Sequence, residues 1–151
     1  MAGSAGVATP GEARALDWGL AMGISVANFA AVKIAADAEG LAHAREFTRH
    51  QLQRWGVDTA TDDVISVVAE LTGNALRHTA AASEGTWLAL GTSPRTVVCV
   101  VLDPSPRQPA PQVADSLSTA GRGLNVVAAL SATWGWSPQG RGKAVWARIP
   151  L

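Results

Sequence analysis

Glu70-Leu71-Thr72-Gly73-Asn74-Ala75-Leu76-Arg77-His78 sets a carboxylate, a carboxamide and an imidazole at every fourth position of one short stretch. The apolar residues around them recur with helical period. At roughly 3.6 residues per turn, Val64, Val68, Leu71 and Ala75 form one stripe, and Glu70, Asn74 and His78 lie along its margin. The spacing therefore predicts a helix whose buried face is edged by three chemically different groups. A carboxylate can take a proton from a hydroxyl or hold a water. A carboxamide oxygen is a hard ligand for Mg2+, which usually keeps several waters of its own. Such a pair suits nucleotide phosphate chemistry, although taken alone it also describes an ordinary solvated helix margin.

Working outward, Thr61 or Asp62 caps this helix, which is expected to run to about Ala80. Upstream, Asp37 is the N-cap expected for a helix to about Arg54, in which Leu41, Ala44, Phe47, Thr48 and Leu52 follow helical spacing and Trp55-Gly56 makes the stop. The small, β-branched and apolar residues from Ile24 to Ala36 hold one strand, placed within Ala30 to Ala35. Downstream, Gly85 to Gly91 and Arg95 to Leu102 read as a hairpin joined by Thr92-Ser93-Pro94. The unbroken valines of its second strand call for a sheet covered on at least one face.

Between Asp103 and Ala120 stand Pro104, Pro106, Pro109 and Pro111 with no strand or helix period, which reads as a long loop acting as a lid. Gly121-Arg122-Gly123-Leu124 then opens a third helix to Ser131. Glycines at a helix start let a bound group approach unpaired backbone N–H groups, where the helix dipole also favours an anion such as phosphate. Two short strands follow, Ala132 to Trp136 and Lys143 to Ile149, linked by the polar turn from Ser137 to Gly142.

Composition narrows the function classes. A chain of 151 residues, 48% of them hydrophobic, carries enough apolar side chain for one substantial core. Its 12 basic and 12 acidic residues cancel, so bulk charge attracts neither nucleic acid nor an anionic membrane. The lone Cys99, within Val97-Val98-Cys99-Val100-Val101, reads as a buried thiol, unable to form an internal disulfide or a cysteine metal site. Its neighbours include no cation that would activate it. Residues 1–29 read as a flexible or partly ordered extension ahead of a domain spanning 30–151. Trp18 to Val32 runs for fifteen residues without a formal charge, too short to span a bilayer comfortably. Glu12 and Asp17 stand where a secretion signal would carry positive charge, so the expected location is cytoplasmic. The six tryptophans read mainly as core or half-buried residues.

Taken in order, Glu70-x-x-x-Asn74-Ala75-x-x-His78, a strand ending in Asp103, a proline-rich loop, Gly121-Arg122-Gly123-Leu124 and Gly142-Lys143-x-Val145-Trp146 resemble the Bergerat-type ATPase superfamily. That superfamily is shared in outline by gyrase, MutL and histidine kinases. The match is closest to its small branch of anti-sigma regulatory factors with serine-protein kinase activity, and it extends from about residue 30 to the end. The resemblance implies an α+β fold: a two-layer α/β sandwich whose mixed, largely antiparallel sheet is covered on one face by helices, with ATP between helices and lid.

Carried over residue by residue, the likeness makes Glu70 the catalytic base or water-orienting carboxylate and Asn74 the Mg2+ ligand beside the triphosphate. It makes Asp103 the acceptor for the adenine amino group, and gives Gly121, Arg122, Gly123 and Leu124 the phosphate cradle. His78, Ser105 and Lys143 are further nucleotide contacts, with Lys143 directed at phosphate or simply exposed at a strand end. The implied activity is that of an ATP-dependent serine-protein kinase. Its implied partners are a sigma factor and an anti-sigma antagonist protein, with a homodimer as the implied assembly and no direct nucleic-acid or membrane partner. A non-catalytic nucleotide-sensing or protein-interaction module of the same fold is the alternative. Three departures motivate it: Ser105 and Arg107 stand where glycines usually follow the acidic residue, and Ala144 stands where a threonine often follows the last glycines.

Overall fold

The computed structural model describes residues 27–77, 86–104, 119–139 and 142–151. Among them the chain forms β1 (Asn28–Ile34), α1 (Ala38–Arg54), α2 (Thr61–Arg77), β2 (Thr86–Ser93), β3 (Thr96–Asp103), α3 (Thr119–Leu130), β4 (Thr133–Gln139) and β5 (Gly142–Pro150). Asp37 caps α1 as its sequence position implies: its side chain accepts from the Gly40 N–H at 2.9 Å, satisfying one of the donors a helix start leaves unpaired. Gly40 is needed there, because a Cβ would stand 1.9 Å from the carbonyl oxygen of Ala35. At the other end, Gly56 takes φ 72° and the Val57 N–H reaches back to the Leu52 carbonyl at 2.8 Å, a left-handed termination that glycine makes without strain.

Several boundaries differ from the sequence expectation: β2 runs on to Ser93 and β4 to Gln139, into the turns expected there, and Thr61 is already the first residue of α2 rather than its cap. β1 begins at Asn28, two residues before the expected window, because Asn28 and Phe29 continue the ladder opposite Thr92 and Gly91. α3 begins at Thr119, so Gly121 and Gly123 lie inside its first turns and do not open it. Glycine's low helix propensity gives no warning of a helix already running.

The sheet order is β1-β2-β3-β5-β4, and all four pairings are antiparallel. No parallel pair occurs among the described strands. One face carries the main core: Ile34, Leu88, Leu90, Val97, Cys99, Val101, Val145, Ala147 and Ile149 pack against Leu52 of α1, Val64, Val67, Val68, Leu71 and Ala75 of α2, and Val127 of α3. Helices on one face and strands beneath make the two layers. The opposite face has its own apolar cluster, Ala89, Val98, Val100, Leu102 and Ala144, flanked by Phe29, Ala31, Trp87 and Trp146. Apolar residues on both faces explain why β3 reads as an unbroken valine run rather than an alternation.

The two ends of this sandwich are distinguishable. The β2–β3 turn, Leu151 and the α1–α2 connection from Trp55 to Thr59 line one depression, so α2 starts at that end. Its 17 residues, at about 1.5 Å each, carry its last turns to the opposite end, where β3 stops and β5 begins. α3 runs the same way in reverse. It finishes beside Ala132, whose N–H bonds the Arg148 carbonyl, so its start points to the Asp103 end. Among the described residues no helix is long and apolar enough to cross a membrane.

Candidate functional site

Four chain segments converge at that second end: the last turns of α2, the start of α3, the end of β3 and the beginning of β5. Asp103 and Lys143 are register partners there. Side chains alternate faces along a strand. Both residues share the parity of Val97, Cys99, Val101 and of Val145, Ala147, Ile149, and therefore look toward the helices. The Lys143 ammonium donates to Asp103 Oδ2 at 2.9 Å, with the two side chains only 2% and 3% exposed. Lys143 is thus no exposed strand-end lysine. Its cation is held against the carboxylate expected to read a base.

Gly142 makes this approach feasible. A Cβ there would lie 2.1 Å from the backbone oxygen of Asp103 and 2.8 Å from Cα of Pro104. Ala144, by contrast, points to the opposite face and packs with Val98, Val100 and Leu102. A hydroxyl at position 144 would have faced away from the helices. That departure from the superfamily pattern therefore does not touch the convergent end.

On α2, Glu70 and Asn74 are half-buried beside the buried Leu71 and Ala75. The amphipathic spacing sets their height and the packing of α2 over β3 and β5 sets their direction. Arg77, which the sequence reading did not single out, sends Nη2 to within 3.4 Å of Asn74 Oδ1, a long contact by hydrogen-bond standards. The signal was available, since residues three apart on a helix are neighbours. At α3, which starts at Thr119, the N–H groups up to Gly121 are those without helical partners, and Arg122 and Gly123 follow in the turn where the dipole is positive. Leu124 is buried, so its side chain packs and only its neighbours' backbone is placed for a ligand. His78, Ser105 and Arg107, and the lid expected between Asp103 and Ala120 from residue 105 to 118, lie outside the described residues.

The oxygens of Asn74 and Glu70 are hard donors on adjacent turns. Among the described residues no group of three or more His, Cys, Asp or Glu could hold a metal ion. The donor set fits Mg2+ in the manner usual for nucleotide sites, with one or two protein oxygens and the remainder from phosphate and water. Cys99 is fully enclosed in the helix-facing core, and burial pushes its thiol up to about 12, which removes it from any nucleophilic role.

Comparison with known proteins gives the class of this two-layer fold. The model of the histidine kinase-like ATPase domain matches residues 34–149, and the chain belongs to that family. Among solved structures, a chain of the SiaB–SiaC complex from Pseudomonas aeruginosa is similar, with a TM-score of 0.61 and 16% identity over 91% of this chain and 99% of that one. No curated protein matches.

Proposed function

We propose that this chain is an ATP-binding, anti-sigma-factor-like regulator that phosphorylates a serine of an antagonist protein. The observation that carries the reading is the meeting, at one end of the sandwich, of Glu70 and Asn74 on α2, the open start of α3 and the buried Asp103. Asp103 accepts from the adenine amino group. The first N–H groups of α3 hold phosphate oxygens, with Arg122 adding charge. Asn74 and phosphate oxygens would hold Mg2+, which neutralises phosphate charge when bound. Glu70 takes the proton of the serine hydroxyl as its oxygen bonds to the terminal phosphorus and the bridging P–O bond to ADP breaks. His78 and Ser105 complete the nucleotide contacts, and Lys143 stands beside Asp103.

Membership of the ATPase family supports nucleotide binding. A structural neighbour that comes from a complex of two proteins supports a protein partner, here a sigma factor bound in alternation with its antagonist. The test is transfer of the terminal phosphate from labelled ATP to the cognate antagonist. Glu70→Gln is expected to abolish transfer while keeping ATP binding, and undiminished transfer would remove Glu70 from its role. Saturable ATP binding by the native protein, with transfer to no partner, would leave the non-catalytic nucleotide-sensing reading.

A further inference from the structure

The sheet face turned away from the helices is apolar and dry, yet none of the described helices packs on it. Val98, Val100 and Leu102 of β3, with Ala89 of β2 and Ala144 of β5, are no more than 5% exposed. Among the described residues every apolar side chain packed with them comes from a strand. Side chains in the middle of a bare sheet stand roughly perpendicular to it and would keep their outer atoms in water. Arg148 gives the same sign: register sets it beside Val98 on that face, and its Nε is shut off from solvent. These exposures are those of a single chain, so whatever excludes the water belongs to the chain itself.

Four stretches of the chain lie outside the described residues, and only one has the side chains for the task. Residues 78–85 carry no large apolar side chain, residues 140–141 are Gly and Arg, and residues 105–118 offer only Val113 and Leu117 among prolines and polar groups. Toward the end of residues 1–26, by contrast, every second residue is large and apolar: Leu16, Trp18, Leu20, Met22, Ile24 and Val26. Asp17, Gly19, Ala21, Gly23 and Ser25 stand between them. Strict alternation is the pattern of an extended segment with one side buried and the other in water.

We propose that residues 16–26 fold back over this open sheet face as a covering strand, with their even-numbered side chains against Val98, Val100 and Leu102 and their odd-numbered ones in water. The sheet is then shielded on both sides within one chain, and that face is closed to a second copy. Reach allows it. The Ala27 N–H bonds the Thr92 carbonyl at 2.7 Å, so the segment meets the sheet at the β2–β3 turn, where β3 begins. Eleven residues at roughly 3.3 Å each span about 36 Å, more than the roughly 27 Å needed to traverse the eight residues of β3. The proposal is independent of the nucleotide reading, since the covered face lies across the sheet from Glu70 and Asn74.

The experiment uses the full chain in two double variants. Leu20→Asp with Met22→Asp puts charge on the buried side of the segment, and Ala21→Asp with Ser25→Asp puts the same charge on its outer side. The first is expected to raise the fluorescence of anilinonaphthalene sulfonate severalfold and to self-associate in sedimentation velocity, as an uncovered apolar face of this size would. The second is expected to match the native protein in both. Identical behaviour of the two variants overturns the proposal. A native dimer that the first variant converts to monomers would place the segment on a neighbouring copy, which overturns its assignment to its own sheet. Should the first variant fail to fold, hydrogen exchange of the native protein decides: amides of residues 16–26 are expected to exchange about tenfold or more slowly than in the isolated peptide, and exchange at the peptide's rate overturns the covering strand.

Discussion

At the scale of single residues, Cys99 shows how completely the helix-facing core excludes water. It is register partner to Ala147 on β5 and to Leu90 on β2, and burial lifts its thiol to about 12. The unfolded chain releases this proton near the ordinary thiol value while the folded chain retains it. Stability is therefore unaffected at lower pH and falls as pH climbs from about 9 toward about 12, by up to about 1.4 kcal/mol per pH unit. Denaturant titrations of the native protein and Cys99→Ala across that range should show the alkaline decline in the former and its loss in the latter. Alkylating reagents at pH 8 should leave the folded thiol unmodified. The burial of Cys99 was legible from its valine neighbours. The partnership of Lys143 with Asp103 was not, because they are forty residues apart and only the β3–β5 register brings them side by side. Glu70 and Asn74 were legible because their relation is local, four residues along one helix.

Elements were readable to the extent that their ends carry chemistry. Asp37 and Trp55-Gly56 bracket α1 in the sequence as they do in the structure, where the Asp37 carboxylate accepts the Gly40 N–H. Replacing Asp37 by Ala should cost about 0.5–2 kcal/mol, read as a shift in the denaturation midpoint without a change in slope. The start of α3 was misplaced by two residues because it has no comparable marker, only the glycines that follow. Side-chain alternation along β5 was the unused signal: it puts Lys143 toward the helices and Ala144 away from them, and so corrects the weight given to Ala144. The same strand pairing accounts for Gly135 on β4, opposite Trp146. A Cβ there would come within 2.8 Å of the indole, so Gly135→Ala should destabilise the protein by about 1–3 kcal/mol through overpacking. Chemical denaturation with tryptophan fluorescence would follow both the stability and the displaced ring.

For the whole molecule, the decisive feature is polarity along the sandwich. α2 starts at the end of the β2–β3 turn and the depression there is lined by Trp55, Gly56 and Pro94. The opposite end gathers the chemistry-bearing residues of four elements. The two-layer class was legible from alternating helix and strand periods and from the motif order. The order of strands, with β5 placed between β3 and β4, was not, since it depends on nonlocal pairing that no local pattern encodes. A ligand held only by the folded state raises stability by mass action, about 2.7 kcal/mol at a hundred times its Kd, so Mg-ATP should raise the melting temperature in proportion to the logarithm of its concentration. The most direct test is calorimetric titration of Mg-ATP into the native protein and into Asn74→Ala with an unchanged melting temperature. The expected result is saturable binding of one nucleotide per chain, weakened about tenfold or more in the variant; no binding to the native protein, or equal affinity in both, would contradict a nucleotide held at the Asn74 end of the sandwich.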